Sequence, residues 1–270
     1  MQVESFHLSP VEKELRFDNW RRKNNIQLFL LDLDDTLSDT QSVFSTQISK
    51  ACDYLAKNSP LLESKAWEKQ IRSINDIFFE QYGVNPNRWN QVVDTLSEKY
   101  LLRSEVSLHT KEIFQDIYTT PLQFKTGAKE GLDFLKKTDT PFAIVTHANT
   151  DWTWRKYEYW LKLDRYLVDW DDVFIVDENG HKTAESWQEA LNYFKIKANN
   201  CAIVGDSPRS DINPATSIGI RHSFFVNNPD SWSIHQQEIP QTTIIINNLS
   251  EIANIDYQHL TDIKPRKTIY

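Results

Sequence analysis

Two aspartates two residues apart, in Asp32-Leu33-Asp34-Asp35-Thr36, stand directly after the apolar run 28–31. In an extended chain residues i and i+2 project to the same side, so the two carboxylates share one face and Leu33 takes the other. Past the carboxyl end of a strand in an open α/β sheet, such a pair faces the crevice where ligands bind. That is the raw material of a two-carboxylate site. The same residues also suit an acidic strand-to-turn junction, with Asp35 and Thr36 capping the next segment.

Other reactive residue types recur at matching places. The apolar run 142–145 leads into Thr146, and 201–204 leads into Gly205-Asp206-Ser207-Pro208-Arg209-Ser210-Asp211. Between them, after the apolar stretch 173–176, comes Lys182 in Asn179-Gly180-His181-Lys182-Thr183. Alternating strands and helices of this kind predict one parallel sheet, which would gather all these residues at a single edge. Taken singly, Thr146 also suits a turn, Lys182 a solvated loop, and Asp206 and Asp211 the start of a helix.

The four segments, in this order, resemble the signature motifs of the haloacid dehalogenase superfamily, and its phosphatase-type members in particular. The resemblance spans residues 26–249 and is most specific over 204–220, Val-Gly-Asp-Ser-Pro-Arg-Ser-Asp-Ile-Asn-Pro-Ala-Thr-Ser-Ile-Gly-Ile. It implies an α/β fold, a Rossmann-like parallel sheet core with an inserted α-helical cap domain. It also implies Asp32 as the nucleophile that forms an aspartyl-phosphate. Asp34 would be the acid that protonates the departing alkoxide and the base that then activates water. Thr146 and Lys182 would hold the phosphoryl oxygens. The metal would be held by Asp32, Asp206 and the backbone carbonyl of Asp34, with Asp211 steadying the metal site. The implied cofactor is Mg2+, which suits an all-oxygen site of one or two carboxylates, waters and a substrate phosphate. A phosphate monoester is a dianion that repels a carboxylate nucleophile, so charge neutralisation is the central demand of this chemistry.

Three positions depart from the family pattern. Thr183 stands where proline is usual, His147 where asparagine is common, and Asp35 where many relatives carry glycine. The acid at Asp34 counts against carbon–halogen cleavage, because the dehalogenase branch lacks it and uses no magnesium.

The domain expectation is an N-terminal arm (1–25), a core (26–42 and 121–253), a helical cap (43–120) and a C-terminal tail (254–270). Phe44, Ile48, Ala51, Cys52 and Leu55, and further on Ile71, Ile74, Ile77 and Phe78, recur at helical intervals. Tyr82-Gly83 and Pro86 predict a break between cap helices. Trp154, Tyr157 and Leu161 predict the face by which a helix after the second motif packs on the sheet. The final strand is expected near 243–247, then a short helix and a basic tail through Lys264, Arg266 and Lys267.

A net charge of -8 among 270 residues carries no basic footprint for nucleic acid. No apolar stretch approaches the roughly 20 residues that span a bilayer, and Glu4, Glu12 and Glu14 do not suit a signal peptide. Cytoplasmic residence is the default expectation. Cys52 and Cys201 have no metal-ligand spacing and read as reduced thiols. The expected partner is a small phosphorylated substrate, with no nucleic-acid surface and no membrane. Arg72, Arg88, Arg103 and Lys111 in the cap suit either a second anionic group on that substrate or solvated surface charge. The functional expectation is a phosphomonoester hydrolase. A phosphomutase with the same residues, or a binding protein on a retained fold, are the alternatives.

Overall fold

A computed structural model of the chain describes residues 8–163, 169–177, 181–228 and 237–257. Six strands, β1 (Leu28–Leu31), β2 (Phe142–His147), β3 (Val173–Val176), β4 (Cys201–Gly205), β5 (His222–Val226) and β6 (Ile244–Ile246), form one sheet in the order β3-β2-β1-β4-β5-β6. All neighbours are parallel; Leu31 lies opposite Ile144 on one side and Val204 on the other. Parallel strands are covered on both faces, which is why these segments read as unbroken apolar runs rather than alternating ones.

Alternation reappears in where each side chain goes. Phe29, Leu31, Ala202, Val204 and Phe224 join one buried cluster, whereas Leu30, Ala143, Val145 and Ile203 join another on the opposite face. Helices α1 (Pro10–Lys23) and α6 (Ala128–Lys137) cover the first face, with the 3-10 turn Leu249–Asn254; α8 (Ala184–Tyr193) and α9 (Asn213–Ser217) cover the second.

Four helices, α2 (Thr40–Asn58), α3 (Ser64–Tyr82), α4 (Arg88–Tyr100) and α5 (Ser104–Gln115), are inserted between β1 and α6 and bury a core of their own. Ile48, Ala51, Cys52 and Leu55 pack there against Ile71 and Ile74, as their spacing predicts. Ile77, assigned to the same stripe, instead points to solvent at 64 % exposure, while Phe78 packs partly buried against this core. The break between α3 and α4 falls at Gly83, whose φ of 58° comes at the end of α3. The insertion begins and ends at a narrow clasp. Ser38 forms an antiparallel bridge with Phe124, Asp39 N–H donates to Gln123 O (2.9 Å) and Lys125 N–H to Leu37 O (2.8 Å).

Three expectations are corrected. Residues 10–23 are not a detached arm: α1 starts with a Ser9–Glu12 capping box and buries Phe17 and Trp20 against Phe29, Phe224 and Tyr257. Burying a side chain of this size contributes roughly 1.5–3 kcal/mol, enough to hold a helix whose sequence is otherwise polar. The tail likewise begins later than 254, since Ile255 and Tyr257 belong to the same cluster. The first seven residues and those from 258 on, including Lys264, Arg266 and Lys267, lie outside the described residues.

The third correction concerns α7 (Thr150–Leu163), which comes after β2. It buries Trp152, Lys156 and Trp160, while Trp154 is 40 % exposed and stacks on its flank with Tyr157 and Trp170. The side chain of Leu161 lies outside the described residues. Both cysteines are buried and free, and no helix among the described residues is long and apolar enough to cross a membrane.

Candidate active site

The centre of the sheet brings the reactive residues together. Asp32 extends the β1–β4 ladder by one residue, its N–H donating to Val204 O at 2.9 Å, and its side chain emerges at the carboxyl edge. The chain then turns sharply: Leu37 and Ser38 N–H both donate to Leu33 O, and Asp35 sits at φ 61°. This left-handed conformation is one that glycine adopts freely and aspartate tolerates, which accounts for both residue types at this position. Asp35 is anchored there by the Gln41 N–H, 2.8 Å from its Oδ1, and by Lys125 at 3.6 Å.

Lys182 reaches into the same edge from the loop before α8. Its Nζ donates to Asp32 Oδ1 at 2.8 Å and to Asp211 Oδ1 at 2.6 Å, with the Trp187 ring beneath it. Thr183, where the family favours proline, is the N-cap of α8 and accepts from Ser186 N–H. Residues 178–180 of this motif lie outside the described residues. Asp211 belongs to a single π turn, Pro208–Ile212, and its Oδ2 accepts from Ser207 N–H at 3.0 Å. Gly205 lets it approach: a Cβ at that position would lie 2.5 Å from the Asp211 carboxyl carbon.

Acids outnumber bases at this edge. Asp32, Asp206 and Asp211 each present a carboxylate oxygen within 4.8 Å of the other two. Burial, with the charge of Asp211 added, pushes the Asp32 carboxyl up to about 7 despite Lys182. Burial and the charges of Asp35, Asp32 and Asp211 push Asp206 well above the usual carboxylate range. Lys182, shared by two acids, is held protonated even though burial opposes its charge. Three hard oxygen donors whose mutual repulsion one ammonium does not cancel fit a small divalent cation such as Mg2+.

Asp34 is differently placed. Its Oδ1 accepts from the Thr40 hydroxyl and from Lys156 Nζ, the latter at 2.5 Å. Its carboxylate is therefore not one of the three clustered acids. Asp32, Asp34, Asp206, Asp211 and Lys182 all line one cavity of about 150 Å3. Thr146 is not among the lining residues; it is buried on β2 and its hydroxyl oxygen has no partner. The helical insertion supplies the far wall through Phe44, Asn75, Phe79, Val84 and Arg88, and α7 adds Trp152.

Two further residues stand out in three dimensions. Arg88 is buried in the wall, unlike Arg72, Arg103 and Lys111, which pair with Glu68, Glu105 and Asp94 at the surface. Lys156 belongs to none of the sequence motifs. Its signal is spacing, because it stands on one helical stripe between Trp152 and Trp160, both buried.

Comparison with known proteins agrees with this layout. Over 208 residues (74 % of this chain and 80 % of the relative) the chain is 26 % identical to a glyceraldehyde 3-phosphate phosphatase from Pyrococcus furiosus. The fold superposes on a haloacid dehalogenase-like hydrolase from Xanthomonas campestris (TM-score 0.65, 17 % identity, 87 % of this chain and 91 % of that one). It also superposes on a 2-haloacid dehalogenase from Pseudomonas syringae (TM-score 0.54, 25 % identity, 84 % and 96 %). The haloacid dehalogenase-like hydrolase family model matches residues 26–219, which take in β1 to β4 and the helical insertion, and the chain belongs to that family of enzymes.

Proposed function

We propose that the chain is a magnesium-dependent phosphomonoesterase that works through an aspartyl-phosphate on Asp32. The observation that carries this reading is the division of labour between the two aspartates of Asp32-Leu33-Asp34. Asp32 is buried and bridged by Lys182 to Asp211, whereas Asp34 is turned to Thr40 and Lys156. A nucleophile and a proton-transfer group need such separate environments.

In this reading Asp32 attacks phosphorus, the P–O bond to the alcohol breaks, and Asp34 gives its proton to the leaving oxygen. Asp34 then takes a proton from the water that hydrolyses the aspartyl-phosphate, releasing inorganic phosphate. Lys182 offsets charge on the phosphoryl oxygens, and Thr146 supplies a hydroxyl from the end of β2. Asp32, Asp206 and the carbonyl of Asp34, with Asp211 behind them, would hold Mg2+, which when bound neutralises the approaching dianion. The helices of 43–120 act as a cap over the core of 26–42 and 121–253, narrowing the cavity and limiting water.

Dehalogenation shares this fold but not the acid at Asp34. A relative named for glyceraldehyde 3-phosphate makes a small triose phosphate the natural first substrate to assay. The test is phosphate release from an aryl phosphate and from glyceraldehyde 3-phosphate, with and without magnesium, by wild type and Asp32→Asn. Magnesium-dependent release lost in the variant supports the reading. Release by Asp32→Asn at the wild-type rate, or no release from a broad metabolite panel, overturns it.

A further inference from the structure

We propose that Arg88, with Asn75 beside it in the cavity wall, forms a recognition site for a second anionic group on the substrate. The site selects small phosphomonoesters that also carry a carboxylate or a second phosphate. The inference rests on the phosphomonoesterase reading of the same cavity and names the class of ester it takes.

Arg88 is the first residue of α4 and is only 5 % exposed. Its Nη1 donates to Gly83 O at 2.5 Å, but its Nε is buried without a partner. The rings of Phe79 and Trp89 each lie 5.3 Å from the guanidinium carbon, and no carboxylate pairs with it among the described residues. Burial is the main influence on it and disfavours its charge, with smaller opposing contributions from Tyr118 and then Asp76. A buried cation without a counter-ion is costly, more so than the same cation paired or a packed apolar side chain in its place. Cation–π contacts recover part of that cost. An anion delivered by the substrate would complete the balance.

The rest of the cavity points the same way. Of its two permanently charged bases, Lys182 is committed to Asp32 and Asp211, which leaves Arg88 as the cation opposite the acidic edge. Asn75 is buried in the same wall, with an amide oxygen that has no partner. Phe44, Phe79 and Val84 between them are apolar and offer no competing hydrogen bonds. A cavity of about 150 Å3 that Arg88 lines together with Asp32 suits a small ester. Glyceraldehyde 3-phosphate, the substrate in the relative's name, carries an aldehyde and a hydroxyl in place of a second anion, so the inference separates this chain from that protein.

The experiment is calorimetric binding of three non-hydrolysable probes to the magnesium-loaded protein: ethylphosphonate, phosphonoacetate and ethane-1,2-diphosphonate. Wild type is expected to bind one or both of the probes that carry an anionic group at each end at least about 30-fold more tightly than ethylphosphonate, as one desolvated charge pair requires. Arg88→Met should cut that preference to within about threefold, and Arg88→Lys should retain part of it. Which probe gains identifies the second group as carboxylate or phosphate. A wild-type preference below about threefold, or one that Arg88→Met leaves intact, overturns the inference. If Arg88 only staples the turn at Gly83, both variants lower Tm and weaken all three probes equally, which also overturns it. Hydrolysis of the corresponding phosphate esters is measured in parallel. Selective binding without turnover would defeat the phosphatase reading alone, and turnover without Arg88-dependent selectivity would defeat this inference alone.

Discussion

Lys156 and Asp34 form an ion pair across 122 positions of sequence, with Nζ 2.5 Å from Oδ1 and 3.5 Å from the centre of the Trp152 ring. The lysine is buried and the aspartate is partly open to the cavity. The pair joins α7, which comes after the second motif, to the loop that carries the first. Thr40, at the start of α2, completes the hold on the same oxygen.

Replacing Lys156 by methionine keeps most of the unbranched stem against Trp152 while removing one of the two donors that hold the carboxylate. Misplacement of a reacting group by about 1 Å costs on the order of 100-fold. Steady-state kinetics of Lys156→Met should therefore show kcat reduced roughly 10- to 100-fold with KM changed little. A change confined to KM would assign Lys156 to substrate binding instead.

Metal binding should depend on pH with a definite sign. Asp32 is raised from an ordinary 3.8 to about 7 and Asp35 to about 6, both chiefly by burial, so the metal-free folded protein retains protons that the unfolded chain has released. Their contribution to stability is present below the unfolded value and is lost as pH rises through about 6 to 7. Magnesium requires the ionised form and reverses the trend. Scanning calorimetry should show the Tm of the metal-free protein falling between roughly pH 4 and pH 7, and the gain on adding magnesium growing over the same interval. A magnesium gain that is flat with pH would detach the cation from these acids.

The cap and the core also meet through Glu80, in α3, and Arg209, in the π turn, joined by two bonds of 2.5 and 2.9 Å. Half-exposed pairs of this kind contribute about 0–1 kcal/mol and are screened by salt. Glu80→Gln should change Tm hardly at all, yet alter KM about two- to fivefold at low ionic strength. The difference should vanish near 0.5 M salt, where the Debye length is only about 4–5 Å. Persistence of the difference at high salt would point to a role for Glu80 other than the ion pair.

Stability should depend on α1 as it does on the sheet. Trp20→Ala removes a ring packed against His222, Phe224 and Tyr257, and a substitution of this kind costs about 3–5 kcal/mol. Denaturant unfolding with a midpoint unchanged from wild type would mean that α1 is not part of the cooperative core.

The acids and Lys182 are readable in sequence because each comes after an apolar run, and the ends of parallel strands lie at one edge by construction. Thr146 follows the same logic only in part: its strand forms as expected, and its hydroxyl is buried without a partner rather than among the residues that line the cavity. Lys156 is opaque for a different reason, and the sequence leaves Arg88 open between a substrate contact and a solvated charge. A charged residue on a helix reads as solvated unless something shows that its stripe is covered; Lys156 meets Asp34 from a distant part of the chain, and Arg88 is enclosed by Phe79, Gly83 and Trp89. The polar composition of α1 hides Phe17 and Trp20 in the same way, since two large side chains suffice to dock a helix whose other faces are wet.

The clasp at Ser38 and Phe124 makes the helical insertion a cassette. Its two ends leave the core side by side, fastened by the backbone bonds Asp39 N–H to Gln123 O and Lys125 N–H to Leu37 O. A graft at this doorway need only match a two-strand stub, because the sheet register is set elsewhere. The selectivity proposed for Arg88 and its neighbours would therefore travel with the cassette, while the chemistry proposed for Asp32 would stay with the chassis.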